Sequence, residues 1–296
     1  MPSSTRSGFV ALAGRPNVGK STLVNAVVGG KVAIVSDRPQ TTRRAIRGVY
    51  TSGEHQMVLV DLPGVQRPRD ALTARMARRV SQELEGSDAA LLILNAAQGV
   101  GPGDRFIART LAAGGLPVTI ALNKIDRLTA AGTAQALEQA AGLEVGEHIF
   151  PISARTGAGV TELVEHLAAR MPPGPFMFEP GERSDQPQGV LLAELIREAV
   201  IRRTFQELPH AVEVLVEEIE RPRVGLVRLR ALIWVESDSQ KGILVGAGGR
   251  MIKAIGTAAR RELERELGCQ VHLDLSVRVR REWRADEGSL DRLGIS

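Results

Sequence analysis

Short apolar segments alternate with segments of helical periodicity through the first 171 residues. Each apolar run has the length of a buried strand, and the stretch after it repeats apolar residues at the spacing of one helix face. This alternation predicts an α/β domain with a mostly parallel sheet and helices on both faces. A more polar segment, 44–51, predicts an antiparallel edge strand. The predicted strands cover 9–13, 56–61, 89–95, 118–123 and 149–152, and the predicted helices cover 21–28, 71–84, 104–113, 133–141 and 160–170.

Prolines interrupt this pattern after the last helix of the first domain, which we assign to residues 1–171. Four prolines between positions 172 and 180 exclude a helix interior and a central strand. Residues 172–188 are therefore predicted to be a linker. The remaining residues, 189–296, follow the order helix, strand, strand, helix, helix, strand, which predicts a smaller α+β domain.

Composition narrows the class of protein. A single cysteine, Cys269, excludes an internal disulfide, and no uncharged segment reaches the ~20 apolar residues of a spanning helix. We expect a cytoplasmic protein without stable membrane insertion, and peripheral association with the inner face of the cell membrane stays open.

Basic residues outnumber acidic ones by 10 to 5 over 241–284, so a polyanion that binds the second domain should contact that segment.

The clearest motif is Gly14-Arg-Pro-Asn-Val-Gly-Lys-Ser21, which fits G-x-x-x-x-G-K-[ST] between a predicted strand and a predicted helix. Backbone N–H groups and the helix N-terminus would surround phosphates there. Lys20 would bridge the outer phosphates and the Ser21 hydroxyl would ligate Mg²⁺. A glycine-rich turn without a ligand is the alternative, and the flanking elements disfavour it. The predicted phosphate-binding residues are Gly14, Arg15, Pro16, Asn17, Val18, Gly19, Lys20, Ser21 and Thr22.

A second motif, Asp61-Leu62-Pro63-Gly64, ends the next strongly apolar strand. The Asp61 carboxylate can hold a metal ion through water, and the Gly64 N–H can reach a terminal phosphate. D-x-x-G by itself more often marks a turn at the end of a strand. After a phosphate loop in the same sheet, it predicts a Mg²⁺ and terminal-phosphate site.

Two further motifs follow buried strands, N-K-I-D at 123–126 and S-A-R at 153–155. The Asp126 carboxylate can accept from both the ring N–H and the exocyclic amine of guanine, and adenine presents neither donor there. Each motif alone would also fit ordinary loop chemistry. Their order at strand ends, where open α/β sheets bind ligands, predicts a guanine nucleotide. The predicted base-binding residues are Asn123, Lys124, Asp126, Ser153, Ala154 and Arg155.

The second domain contains a G-x-x-G loop between two predicted helices. The missing side chains let nucleic-acid phosphates approach backbone N–H groups, although a helix–turn–helix corner would also need glycine. The variable pair, Ala247 and Gly248, carries no basic side chain, and Arg250 can compensate. Trp283 lies beyond the last strand, where packing against the domain is favoured over stacking on a base. The predicted RNA-binding residues are Gly246, Ala247, Gly248, Gly249, Arg250, Lys253, Arg260 and Arg261.

Taken together, the four nucleotide motifs and the glycine loop resemble those of the Era GTPases, in which a P-loop GTPase domain precedes a KH domain of the type II-like arrangement. The resemblance covers nearly the whole chain. It implies that Thr42, with Thr41 as the alternative, closes on Mg²⁺, and that Asn17 holds a K⁺ ion. The implied catalytic residues are Asn17, Lys20, Thr42, Asp61 and Gly64, and the implied metal ligands are Ser21, Thr42 and Asp61.

The family also implies a function. It would be a GTP-hydrolysing switch, with GTP and GDP as ligands, that binds single-stranded rRNA near the 3′ end of 16S rRNA and assists assembly of the 30S ribosomal subunit. Val65 stands where a Ras-like enzyme carries a water-orienting glutamine, which predicts slow intrinsic hydrolysis. A GTP-controlled protein-interaction module without RNA binding is the alternative. A metabolic P-loop kinase is disfavoured because N-K-I-D would then have no role.

Overall fold

The computed structural model describes residues 5–35, 43–63, 70–204 and 208–295. These residues form two compact units, the first from 5–33, 43–63 and 74–185, and the second from 34–35, 70–73, 186–204 and 208–295. Within these ranges no helix combines the length and the apolar character needed to cross a bilayer.

The first unit is built on a six-stranded sheet in the order β2-β3-β1-β4-β5-β6. Edge strand β2 is antiparallel to β3, and the other pairs are parallel, so the predicted mixed sheet is confirmed. The central strand β1 has β3 on one side and β4 on the other, which opens a crevice beyond the carboxyl end of β1. The strands are β1 (Arg6–Ala13), β2 (Ile46–Ser52), β3 (His55–Asp61), β4 (Ala89–Asn95), β5 (Val118–Asn123) and β6 (His148–Ile152).

Helices cover both faces of this sheet, as the sequence predicts. Side chains of successive strand residues alternate between the faces. Val10 and Leu12 of β1 pack with α1 and α5, whereas Ala11 packs with α2 and Ala13 with α3 and α4. The helices are α1 (Lys20–Val28), α2 (Ala71–Glu85), α3 (Pro102–Ala113), α4 (Ala130–Ala141) and α5 (Val160–Ala169).

Residues 172–185, within the predicted linker of 172–188, pack on the first unit. The buried amide of Gln56 accepts from the backbone N–H groups of Met177 and Phe178 at 2.7 and 3.0 Å and donates to the Phe178 carbonyl at 2.8 Å. The Val49 N–H on β2 donates to the Arg183 carbonyl at 2.9 Å. Long-range bonds of this kind satisfy a proline-rich backbone that forms no helix or sheet of its own.

The second unit is a three-stranded sheet, in the order β7-β8-β9, packed against α6 and α9. β7 is antiparallel to β8, and β9 is parallel to it. The predicted order of the six main elements is confirmed, and α7 and α10 are short helices that were not predicted. The elements are α6 (Gln188–Ile201), α7 (Leu208–Ala211), β7 (Glu213–Arg223), β8 (Leu226–Val235), α8 (Asp238–Val245), α9 (Arg250–Leu267), β9 (Gln270–Val279) and α10 (Glu287–Arg292).

Trp283 and Cys269, which the sequence analysis singled out, both pack within the second unit. Trp283 is fully buried, and its indole N–H donates to the Ala211 carbonyl at 3.1 Å. This ring packs in the second unit, which confirms the favoured prediction and removes it from any surface that could stack on a base. Cys269 is half-buried against the core of the same unit.

Candidate nucleotide site and glycine-loop surface

The predicted nucleotide motifs lie at the carboxyl edge of the first sheet. The phosphate-loop segment follows β1, and Asp61 is the last residue of β3. Asn123 ends β5, and Ser153 comes directly after β6. Because these strands are parallel, their carboxyl ends share one edge, and motifs up to 139 positions apart in the chain come together there.

Close backbone approach explains glycine at two positions of the loop. A Cβ on Gly14 would lie 2.6 Å from the Ile93 carbonyl oxygen, so a side chain there would collide with β4. Gly19 has φ 106°, and its Cβ would collide with the Asn123 side-chain amide. The loop therefore sits against two strands at once, and only glycine fits these contacts.

Lys20 is buried at the start of α1. Its Nζ donates to the carbonyl oxygens of Gly14 at 3.2 Å and Arg15 at 3.3 Å. Burial lowers the pKa of the Lys20 ammonium, and the charge of Asp61 opposes that shift. An anion beside Nζ would favour the charged form, which is the behaviour expected of a phosphate-binding lysine.

Two hard oxygen atoms, one of Ser21 and one of Asp61, lie close together. The Ser21 hydroxyl donates to Asp61 Oδ2 at 2.6 Å, and Asp61 is fully buried. Hydroxyl and carboxylate oxygens are the ligand class that Mg²⁺ prefers. The other implied ligand, Thr42, and the predicted phosphate contact Gly64 lie outside the described residues, as do Thr41 and Val65.

Asn123 joins three of the motifs. Its side-chain amide donates to the Val18 carbonyl in the phosphate loop at 2.8 Å. Its Oδ1 accepts from the Ala154 N–H at 2.9 Å and from the Lys124 N–H at 2.8 Å. The Lys124 ammonium in turn donates to the Asn17 carbonyl at 2.5 Å. The predicted base-binding and phosphate-binding segments are thus cross-linked by hydrogen bonds.

Asp126 is held in an orientation suited to accept hydrogen bonds from a base. Ser153 Oγ donates to its Oδ1 at 2.6 Å, and Arg155 Nη2 donates to its Oδ2 at 2.6 Å. The hydrogen bond from Ser153 is the main cause that lowers the pKa of the Asp126 carboxyl; the Arg155 charge adds to this effect and burial opposes it. Asp126 is therefore ionised at neutral pH. The Arg155 side chain is 71% exposed and can turn aside for a ligand.

In the second unit, the G-x-x-G segment forms the corner between α8 and α9. Gly246, Gly248 and Gly249 all have positive φ, of 69°, 59° and 74°. A Cβ on Gly246 would lie 2.8 Å from the Met251 Cβ, whereas nothing lies within 4 Å of the corresponding position on Gly248. The tight corner explains Gly246, and the exposed backbone at Ala247 and Gly248 leaves room for a ligand.

The predicted basic residues on α9 are exposed but not all close to the loop. Arg250 is at the loop, where its Nε donates to the Ala247 carbonyl at 3.2 Å, and Lys253 is one turn further along. Arg260 and Arg261 start about 15 Å away along the helix axis. Arg260 also pairs with Glu264 at 3.9 Å. The loop surface is therefore formed by 246–250 and Lys253.

Comparisons with known proteins match both units of the chain. The family model described as a 50S ribosome-binding GTPase matches residues 9–124, and the KH domain model matches residues 207–284. The chain is 45% identical to the GTPase Era of Mycobacterium avium (strain 104) over 296 residues, which cover 98% of this chain and 99% of that protein. The chain belongs to the Era GTPase family.

Two solved Era structures match nearly all of the chain. One, Aquifex aeolicus Era bound to GDP and AlF₄⁻, has a TM-score of 0.94 at 33% identity and covers 99% of this chain and 100% of its own. Another, Era in complex with MgGDPNP and nucleotides 1506–1542 of 16S ribosomal RNA, has a TM-score of 0.93 at 33% identity, with 99% of each chain covered.

As an Era-family GTPase, the protein hydrolyses GTP, and its second unit is a KH domain. The predictions of a P-loop GTPase domain and a KH domain are confirmed, and the alternative of a metabolic kinase is wrong. One charged residue near the phosphate loop, Asp104 on α3, was not predicted. The position of Asp104, three residues after Gly101, indicates only a helix cap. Its contact with Arg15 spans 89 positions of the chain, so no local pattern indicates it.

Proposed function

We propose that this Era-family GTPase is a cytoplasmic, GTP-controlled switch that binds single-stranded rRNA near the 3′ end of 16S rRNA and assists assembly of the 30S subunit. One observation carries the proposal. The Era complex that matches 99% of this chain contains both MgGDPNP and nucleotides 1506–1542 of 16S rRNA. The described residues include a candidate site for each ligand, one in each unit.

In this proposal the phosphates lie over the loop from Gly14 to Thr22. Lys20 contacts the outer phosphates, and the backbone N–H groups of the loop supply further donors at the N-terminus of α1. Ser21 and Asp61, with oxygens 2.6 Å apart, fit a Mg²⁺ ion, and Thr42 stays a predicted third ligand. When bound, Mg²⁺ would neutralise charge on the phosphates.

The base would lie over the second group of motifs. Asp126 accepts the two guanine donors, and Ser153 orients its carboxylate. Ala154 and Leu62 to Gly64 complete the predicted contacts with the nucleotide. Asn123 positions the surrounding segments through its bonds to Val18 and Ala154.

The RNA would lie against the loop surface. Gly246 to Gly249 bring the backbone close to phosphates, and Arg250 and Lys253 supply positive charge at the same corner. Arg260 and Arg261 would meet RNA only if the strand extends along α9.

The assembly role is tested by depleting the protein from growing cells and separating ribosomal particles by sedimentation. We expect immature 30S particles to accumulate and mature ribosomes to fall. The wild-type chain should restore the normal profile. A Lys20→Met variant, which loses the phosphate-binding ammonium, should not. A normal profile after complete depletion would exclude the proposed role.

Potassium dependence tests the implied role of Asn17. Val65 cannot hydrogen-bond the attacking water, so some other group must assist hydrolysis. A K⁺ ion at Asn17 can supply the charge that an arginine finger otherwise gives. We expect GTP hydrolysis to be faster in K⁺ than in Na⁺ at equal ionic strength. Asn17 has φ 62°, which glycine adopts without strain, so Asn17→Gly should retain the loop and lose the K⁺ stimulation. Equal wild-type rates in the two salts would contradict the K⁺ site.

A further inference from the structure

Arg15, the second residue of the phosphate loop, binds α3 through its side chain. Its Nε donates to Asp104 Oδ1 at 2.8 Å, and its Nη2 donates to the Gly99 carbonyl at 3.4 Å. Asp104 is fully buried, and the Arg15 side chain is only 29% exposed. The guanidinium is therefore already engaged with protein groups in the first unit, and a partly buried ion pair of this kind has a defined geometry.

Residues at the start of α3 form the binding position of the Arg15 side chain. The second oxygen of Asp104 accepts from the Gly101 N–H at 2.8 Å and so fixes the carboxylate at the first turn of the helix. Gly103 lies against the arginine stem, since a Cβ there would be 2.9 Å from Arg15 Cδ. A side chain at 103 would displace the arginine stem. The carboxylate and the surrounding backbone are thus fitted to one arginine position.

The backbone of Arg15 belongs to the phosphate site. Its carbonyl accepts from Lys20 Nζ at 3.3 Å, beside the bond from Lys20 to Gly14 at 3.2 Å. Two residues further on, Asn17 has the uncommon φ of 62°. Fixing the backbone of a flexible loop in a single conformation costs conformational entropy. Fixing the Arg15 side chain to α3 restricts the peptide that faces Lys20.

We propose that the Arg15–Asp104 pair is a brace that holds the phosphate loop in its binding conformation before the nucleotide arrives. This inference rests on the proposed role of residues 14–22 in phosphate binding. Arg15 is then a positioning residue, because its charge is matched by Asp104 and its Nε and Nη2 donate to Asp104 and to the Gly99 carbonyl. A preorganised loop improves binding by lowering the ordering cost.

The brace has a distinctive kinetic signature. GTP and GDP share the α- and β-phosphates that the loop backbone surrounds, so loss of the brace should weaken both nucleotides by the same factor. An interaction that is equal in the ground state and the transition state changes KM and leaves kcat unchanged. A direct contact of Arg15 with the terminal phosphate would instead weaken GTP more than GDP and lower kcat.

The test compares Arg15→Gln with wild type, with Lys20→Met and with Arg105→Gln, an exposed arginine on α3 beside Asp104. Affinities are measured with fluorescent GDP and with a fluorescent non-hydrolysable GTP analogue, kcat is measured at saturating GTP, and Tm is measured without nucleotide. We expect Arg15→Gln to raise both dissociation constants about tenfold and to keep the wild-type kcat. Arg105→Gln should match wild type.

The double variant Arg15→Gln/Asp104→Asn covers the case in which an unpaired buried carboxylate unfolds the single variant. It removes both charges, and we expect its affinities to match those of the folded Arg15→Gln protein, because the two residues act as one unit. Unchanged nucleotide affinity in folded Arg15→Gln or in the double variant would overturn the brace, as would a selective loss of GTP affinity or kcat. Wild-type binding by Lys20→Met would instead overturn the proposed phosphate site.

Discussion

Asp126→Asn is expected to weaken GTP binding by a factor on the order of 10²–10⁴ and to strengthen XTP binding. The factor follows from two hydrogen bonds to a charged acceptor, each worth about 1.5–3 kcal/mol. An asparagine presents one acceptor and one donor. It therefore matches the ring N–H and the exocyclic oxygen of xanthine, and it opposes the amine of guanine with a second donor.

The geometry around Asp126 supplies the control for this prediction. Arg155 donates to the same carboxylate, so part of any effect of Asp126→Asn could come from the lost ion pair. Arg155→Gln removes the ion pair and keeps the carboxylate with its Ser153 bond at 2.6 Å. It should retain the preference for GTP over XTP. The measurement is the ratio of GTP to XTP dissociation constants, and an unchanged ratio in Asp126→Asn would refute guanine recognition by this residue.

Gly248→Asp is expected to reduce RNA affinity by a factor on the order of 100, because it places a negative charge where phosphates approach the loop. The structure makes this position preferable to Gly246, whose Cβ would collide with Met251 and distort the corner itself. At Gly248 the space is open and φ is 59°, a region that Asp and Asn tolerate. Gly248→Asn is therefore the matched neutral control.

RNA affinity is measured for the full chain with GDPNP bound and an RNA of the 16S sequence 1506–1542, over a range of salt concentrations. The logarithm of the wild-type association constant should fall linearly with the logarithm of the salt concentration. The slope should be about −0.7 per phosphate contact on a single strand. GTP hydrolysis should be the same in both Gly248 variants. Equal RNA affinity of the Asp and Asn variants would refute phosphate contact at the loop. Failure of the wild-type chain to bind RNA at low salt would favour the protein-interaction alternative.

Much of the fold could be predicted because its information is local. An apolar run such as 89–95 identifies its own strand, and the fully buried β4 covers the same residues. The phosphate-loop, N-K-I-D and G-x-x-G motifs are short, so they could be found without tertiary contacts. Helix ends were predicted less well. Gly101 and Thr129 cap α3 and α4 three and four residues before the predicted starts, because a cap depends on backbone geometry as well as on residue type.

The proline-rich stretch shows where local information ends. Prolines predict that 172–185 form no helix, but they do not predict what satisfies the backbone there. Gln56, more than 120 positions earlier, donates and accepts the necessary hydrogen bonds. Trp283 is a similar case, since the carbonyl that accepts from its buried indole N–H belongs to Ala211, 72 positions away. Such partners meet only when the sheet and the helices have packed.

The amino-acid sequence alone therefore determined the order of the main elements, the family and the motif residues, all of which depend on neighbouring positions. Tertiary structure decided which residues act together. Parallel pairing brings Asn123 to Val18 and Ala154, and packing of α3 brings Asp104 to Arg15. The physical reason is that hydrogen bonds and ion pairs act over about 3 Å in space. Distance along the chain does not limit them. The residues next to Arg15 or Asn123 in the sequence therefore do not indicate which distant residue will be the partner.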